Sequence, residues 1–277
     1  MNMKFSKMHS IGNDFILIDA INQKVNLSKN RIVQLSNRYS GIGFDQLIIV
    51  MQSYDEKIDF YIRIFNSDAS EAVQCINGIR CVFKFLHLKN FTQKNKICIG
   101  THYNKSHASL INQKLICVRI NSPKFKKINA NILKNYHISM YQKYFGFLKK
   151  KIVYHIVYVE NLHCVIFVKN FELYIIKKIA PILSKYILFP NVVNVSFSRI
   201  INFNNIELRV YERGVGSTYC CGSAAAATVA VGIHLKKLNH IVTVNFLRGN
   251  LQVSWKNDLN LISIIGPAEH IYEGYIF

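Results

Sequence analysis

The chain has 277 residues, half of them hydrophobic, and its 35 Lys and Arg against 15 Asp and Glu give a formal charge of +20. That length supports two domains of ordinary size, and 4 prolines and 13 glycines argue against long disordered tracts. No apolar run approaches the ~18 residues of a membrane helix, and an opening segment carrying Lys4, Lys7, Asp14 and Asp19 makes a poor signal peptide. A cytoplasmic protein with no membrane partner is expected.

In chain order, strand-like runs fall at 5–8 and 15–19, on either side of a turn holding Gly12, Asn13 and Asp14. A helical pattern at 29–40 precedes strand-like runs at 46–51 and 60–65. Apolar residues at Ile79, Val82, Phe83 and Leu86 then predict an amphipathic helix over 77–89. Cys98 sits in an alternating run, and another strand is predicted at 115–120. The Lys-rich, weakly patterned stretch 123–151 is the best boundary region. Beyond it, strands are predicted at 152–158, 164–168, 207–211, 241–246 and 251–255, with helices at 173–185 and 223–238. The second of these helices, Ala-rich and apolar on nearly every side, reads as buried at the middle of its domain. The mixture predicts an α+β fold in two halves.

The basic excess permits a nucleic-acid partner but does not specify one. The lysines are scattered, with clusters at Lys124, Lys126, Lys127 and at Lys149, Lys150, Lys151, and no RNP pattern or zinc finger accompanies them. The abundance of Ile, Asn, Lys and Tyr points to compositional drift at tolerant surface positions, so no nucleic-acid partner is expected. The seven cysteines are odd in number and include no CxxC pair. Neither a disulfide framework nor a structural zinc or other metal site is expected.

Two segments repeat. Arg63-Ile-Phe leads through a polar turn to Cys75, and Arg209-Val-Tyr leads through another to Cys221, with 12 positions from Arg to Cys in each. Each cysteine precedes a predicted helix start, where Asn77 and Ser223 suit an N-terminus. A helix N-terminus presents unpaired N–H groups and partial positive charge, so it attracts carboxylates and increases the thiolate fraction of a nearby cysteine. Spacing alone leaves two readings open: small packing thiols, or a reactive pair serving one carbon from opposite faces. Asn13, Asn66, Asn161 and Asn194 are likewise turn residues taken singly. As a set at strand ends they could hold the amino and carboxyl groups of a small ligand.

These residues resemble the diaminopimelate epimerase family essentially end to end. The resemblance rests on Lys7-Met-His-Ser-Ile-Gly-Asn-Asp-Phe15, Gly43-Phe-Asp-Gln46, both cysteine segments, Asn161-Leu-His-Cys-Val165 and Gly266-Pro-Ala268. It implies two pseudo-symmetric domains, 1–120 with 267–277 packing back and 121–266, each a mixed or antiparallel sheet or barrel around a central helix. It implies interconversion of LL- and meso-2,6-diaminopimelate for lysine and peptidoglycan synthesis, with no cofactor, and a homodimer. By that resemblance Cys75 is the base for the LL isomer and Cys221 the acid, with His163 and Glu212 near the reacting amino group. Asn13, Gln46, Asn66, Asn161, Asn194, Glu212 and Arg213 are implied to bind substrate, Arg213 at the distal carboxylate. Backbone N–H groups of Ile76, Asn77, Gly222 and Ser223 are implied to hold the reacting carboxylate, and Tyr272 to lie at the dimer interface.

Several positions depart from the family pattern. Ile76 and Ala224 stand where glycine is usual, Ser10 also for glycine, Leu162 for proline, Ser217 for glutamate and Cys220 for alanine. If position 76 requires positive φ, isoleucine strains it and alters the local geometry. A proline racemase-like enzyme would share the thiol pair but not the ligand pocket. A basic binding protein whose enzyme function has decayed is the reading from another class.

Overall fold

The computed structural model describes residues 2–124, 139–145, 150–185, 193–212, 215–256 and 261–277. The chain divides into two compact units, Met1–Ile120 with Ile265–Phe277, and Asn121–Ile264.

In the first unit, β17 (Glu269–Ile276) pairs with β1 (Met3–Ser10), and β1 with β2 (Asn13–Asp19), both antiparallel. β2 runs parallel to β3 (Gln46–Gln52), which is antiparallel to β4 (Phe60–Asn66). β4 is parallel to β5 (Lys96–Gly100), and β6 (Lys105–Leu110) and β7 (Leu115–Ile120) follow antiparallel. Helix α2 (Ile76–Leu88) touches β1, β2, β6, β7 and β17, strands from both ends of that order, so the sheet curls around it. Helix α1 (Lys29–Ser36) covers the outside, where Ile32 and Leu35 pack with Phe5, Ile16, Ile18, Leu47 and Ile49. With both sheet faces covered, β2 and β3 read as nearly continuous apolar runs.

The second unit repeats this plan. β8 (Ser139–Phe145), β9 (Lys150–Val159) and β10 (Asn161–Phe167) are antiparallel neighbours, and β10 runs parallel to β11 (Asn194–Asn202). β11 is antiparallel to β12 (Asn205–Glu212), β12 parallel to β14 (Ile241–Phe246), and β14 antiparallel to β15 (Gly249–Ser254). Helix α4 (Gly222–His234) touches β9, β10, β11 and β15. Helix α3 (Leu173–Ser184) covers the outside, with Ile179 and Leu183 against Ile156, Ile166, Val195 and Phe197. Before the cysteines the repeat keeps its spacing. The isolated bridge Phe65↔Glu71 recurs 146 positions later as Tyr211↔Ser217, where β12 meets the short β13 (Gly216–Thr218). The fold is therefore α+β, in two pseudo-symmetric units. β16 (Ile262–Pro267) spans the division between them.

All ten predicted strands lie on observed ones, and seven more are present among the described residues. The predicted helix 29–40 ends early, at Ser36. The Asn37 side chain accepts the N–H groups of Tyr39 and Ser40, and that local turn competes with another helical turn. Helix 223–238 ends at His234, with Lys236 left-handed at φ 57°.

Candidate functional site

The cysteines do not merely precede their helices; they cap them. Cys75 is the N-cap of α2, with extended backbone (φ −145°, ψ 107°), and its sulfur accepts the Gly78 N–H at 3.3 Å. Cys221 is the N-cap of α4 (φ −134°, ψ 115°) without a side-chain capping hydrogen bond, and the nearby Ala224 N–H, 146 positions after Gly78, favours the thiolate. Asn77 and Ser223 sit two residues inside rather than at the caps. In both helices the geometry of the first turn aims N–H groups, those of Ile76, Asn77, Gly222 and Ser223, out of the N-terminus. Among the described residues, Ile76 is not one of the non-glycine residues with positive φ, which are Ile11, Ala69, Asn90, Glu160 and Lys236. The strain anticipated at this position is absent because the residue simply begins the helix.

In each unit the predicted polar residues stand at strand ends. In the first unit, Asn13 begins β2, Gln46 begins β3 and Asn66 ends β4, with Phe15 opposite Gln46 and Gln46 opposite Asn66. Gln46 Nε2 donates to Asn66 Oδ1 at 2.8 Å, and Gln46 Oε1 is a buried acceptor without a hydrogen-bond partner among the described residues. Asn13 Nδ2 donates to Asp45 Oδ2 at 2.8 Å, Asn77 Nδ2 donates to Asn13 Oδ1 at 3.1 Å, and the Cys75 sulfur lies 4.0 Å from that same oxygen.

In the second unit, Asn161 begins β10, Asn194 begins β11 and Glu212 ends β12, with His163 opposite Asn194. Burial pushes the Cys221 thiol well above its ordinary value, and the nearby Glu212 charge pushes it further. Ser223 Oγ lies 3.4 Å from that sulfur, and Thr218 Oγ1 donates to Glu212 Oε1 at 2.5 Å. His163 is completely buried. Burial pushes its imidazole down to about 4, and the Val159 backbone offsets only part of this. Among the described residues neither ring nitrogen has a hydrogen-bond partner, and a value of about 4 leaves the ring neutral at pH 7. Arg213 lies outside the described residues. Tyr272 is half-exposed on β17 and meets Phe5 edge-on.

The departures have local consequences. Arg63 forms a two-point ion pair with Glu71; 146 positions on, Ser217 stands in place of that carboxylate, and Arg209 lies over the Phe171 ring at 4.8 Å. Ser10 Oγ donates to the Pro267 carbonyl at 2.7 Å and accepts from Arg80. Sequence reasoning missed Arg80, Asp45 and Thr218. For Thr218 the available signal was its place in the repeat, on a polar turn before the cysteine.

Among the described residues, no group of three His, Cys, Asp or Glu side chains is arranged to hold a metal ion, and no helix is long and apolar enough to cross a membrane. Two like-folded units, each presenting a cysteine at the N-terminus of its central helix, fit an amino-acid epimerase or racemase that works without pyridoxal phosphate, the class that the relatives indicate. A family model described as diaminopimelate epimerase matches residues 5–123 and 155–271. A diaminopimelate epimerase of Wigglesworthia glossinidia brevipalpis is 49% identical over 275 residues, 99% of this chain and 99% of that protein. The chain belongs to the diaminopimelate epimerase family. Likeness to more distant solved structures is one of fold. A Bacillus anthracis phenazine biosynthesis protein of the PhzF family matches at TM-score 0.70 and 15% identity, covering 100% of this chain and 99% of its own. A probable proline racemase from Agrobacterium radiobacter K84, with bound carbonate, matches at TM-score 0.72 and 9% identity, covering 99% and 93%. The racemase-like alternative therefore holds for the fold and yields to the closer family in sequence.

Proposed function

We propose that the chain interconverts LL- and meso-2,6-diaminopimelate by proton transfer between Cys75, Cys221 and the substrate's α-carbon. The observation that carries this reading is the matched pair of N-cap cysteines, one per unit, each at the start of its unit's central helix. The two units are read as 1–120 with 267–277 and as 121–266, and each carries one of the two cysteines.

The α-proton is a far weaker acid than a thiol, so the carbanion must be stabilised as it forms. First-turn N–H groups at Ile76, Asn77, Gly222 and Ser223 receive the reacting carboxylate, where preorganised donors are most effective as charge develops. In the LL direction the Cys75 thiolate removes the proton and the Cys221 thiol delivers its own to the opposite face. The difference in environment suits this division. The Cys221 sulfur is buried and biased toward the protonated form, whereas Cys75 is only partly buried. The reverse direction exchanges the roles. His163 and Glu212 flank the amino group, His163 as a neutral ring. Asn13, Gln46, Asn66, Asn161 and Asn194 take the polar ends of the substrate, and the unused Gln46 Oε1 accepts from an ammonium. Arg213 clamps the distal carboxylate, for which a guanidinium fork is well shaped. The reaction supplies meso-diaminopimelate for lysine and peptidoglycan synthesis in the cytoplasm. The enzyme acts as a homodimer through β17, where Ile271, Tyr272 and Tyr275 are exposed.

The test is purified protein with LL-diaminopimelate in D₂O, following isomer composition and deuterium at the α-carbon. The expected result is meso product carrying solvent deuterium, with Cys75→Ser and Cys221→Ser each nearly inactive yet folded. A single variant that keeps most of the epimerase activity overturns the two-base assignment.

A further inference from the structure

Arg80 lies on α2 one turn beyond Asn77 and is completely inaccessible to solvent. A guanidinium is costly to bury unless its donors are used. Here one terminal nitrogen donates to Ser10 Oγ at 2.9 Å and to Asn77 Oδ1, and Nε donates to the Pro267 carbonyl at 3.4 Å. A guanidinium can only donate, so the oxygen of the Asn77 carboxamide must face it and the nitrogen must face away. That nitrogen donates to Asn13 Oδ1 at 3.1 Å. Asn13 Nδ2 in turn donates to Asp45 Oδ2 at 2.8 Å, and an ionised carboxylate can only accept. The two amides therefore form a chain with one direction, running from a buried cation to an anion. Asp45 is itself anchored by Arg38 at 2.9 Å.

The Cys75 thiol sits beside the middle of this chain. Its sulfur accepts from Gly78 N–H at 3.3 Å and faces Asn13 Oδ1 at 4.0 Å. The N–H stabilises thiolate and the amide oxygen stabilises thiol, so the sulfur lies between opposing influences. The second unit has no such chain at the matching places: 146 positions on, Asn77 becomes Ser223 and Arg80 becomes Ala226.

We propose that Arg80 is a positioning residue, the cationic end of a polarised amide relay to Asp45 that fixes Asn13 Oδ1 on the Cys75 sulfur and balances that thiol for proton transfer. This deepens the reading of Cys75 as a proton-transfer group and rests on it. Removing the cation weakens Asn77 as a donor, leaves Asn13 Oδ1 a stronger acceptor, and favours the protonated thiol. Removing the anion does the reverse.

The experiment reads the thiol without substrate, so its failure is separate from failure of the epimerase reading. Full-length protein is alkylated with iodoacetamide across pH 6–10, and Cys75 and Cys221 are followed individually by peptide mass spectrometry. Arg80→Met raises the Cys75 midpoint by about one pH unit, Asp45→Asn lowers it, and Cys221 is unmoved. In an Asn77→Leu background the Arg80→Met shift disappears, because the relay is already cut. A structural role alone lowers the melting temperature and leaves the Cys75 midpoint in place, which overturns the proposal. An equal shift with Asn77→Leu present also overturns it, since Arg80 would then act as a bare charge. If Arg80→Met does not fold, the partly exposed Asp45→Asn carries the test, and an unmoved Cys75 midpoint in that variant overturns the proposal.

Discussion

Gly78 donates its backbone N–H to the Cys75 sulfur, and it does so from a position with no room for a β-carbon. A Cβ there would meet Ile48 Cδ1 at 2.7 Å and Cys75 Cβ at 3.4 Å. Two effects of Gly78→Ala nearly cancel in stability. Overpacking against the movable end of Ile48 costs about 1 kcal/mol at the low end of its range, and alanine's helix propensity returns nearly as much. The shift in cap geometry is not offset. Gly78→Ala is expected to lower kcat at least tenfold while denaturant stability changes by less than about 1 kcal/mol. Unchanged turnover would mean that the N–H to sulfur contact has no part in catalysis.

Thr218 holds the Glu212 carboxylate from the turn before Cys221. Thr218→Val keeps the side-chain shape and removes the donor, so Glu212 loses a hydrogen bond to its charged form, and such bonds are roughly twice as strong as neutral ones. The variant is expected to lose about tenfold in kcat, with the melting temperature nearly unchanged and Thr218→Ser retaining most activity. Steady-state kinetics on the three proteins decide it: a Ser variant as poor as the Val variant would show that packing, not the hydroxyl, is what matters.

The fold was legible where the sequence carries a local signal. Equal Arg-to-Cys spacing announced the internal repeat, and the apolar face of α2 and the all-round apolar α4 announced the two central helices. β11 was missed. It alternates Asn194, Ser196 and Ser198 toward one side with Val195 and Phe197 toward the other, and buried serines look like surface until the fold covers them. The caps were misplaced by two residues, because Asn77 and Ser223 are ordinary cap types and cysteine is not. Arg80 was invisible for a similar reason, since arginine on a helix reads as exposed. Only the approach of Ser10 and Pro267, 70 positions before it and 187 after it, shows it to be buried.

His163 makes a pH prediction with a definite sign. Its folded value is depressed to about 4 from an ordinary 6.5. Below pH 6.5 the unfolded chain takes up a proton that the folded chain refuses. The contribution is therefore fully present above pH 6.5 and is lost as pH falls toward 4, in total about 3 kcal/mol. His155, also buried and shifted the same way, adds to the effect. Urea unfolding at pH 7, 6, 5 and 4.5 should show falling stability, with a shallower slope in His163→Gln. An equally steep slope in that variant would assign the acid sensitivity to other groups. The same shift predicts no limb near pH 6.5 from this ring in the pH dependence of kcat.

The hairpin that presents Asn13 turns on Ile11 and Gly12, both left-handed, at φ 53° and 83°. Asn or Gly normally takes the first of these positions in a two-residue hairpin, and a β-branched residue there costs about 1–2 kcal/mol. Relief of strain predicts that Ile11→Gly stabilises the protein. Burial predicts the opposite, because Ile11 is only 4% exposed and full burial of an isoleucine side chain contributes about 1.5–3 kcal/mol. Glycine also loses more backbone entropy on folding, about 0.5–1 kcal/mol. The two destabilising terms together exceed the strain, so Ile11→Gly should lower stability by roughly 1 kcal/mol, and Asn13 should be held less firmly beside Cys75. Denaturant unfolding gives the sign directly. A stabilised Ile11→Gly would mean that the turn, not the core beneath it, sets the energy of this hairpin.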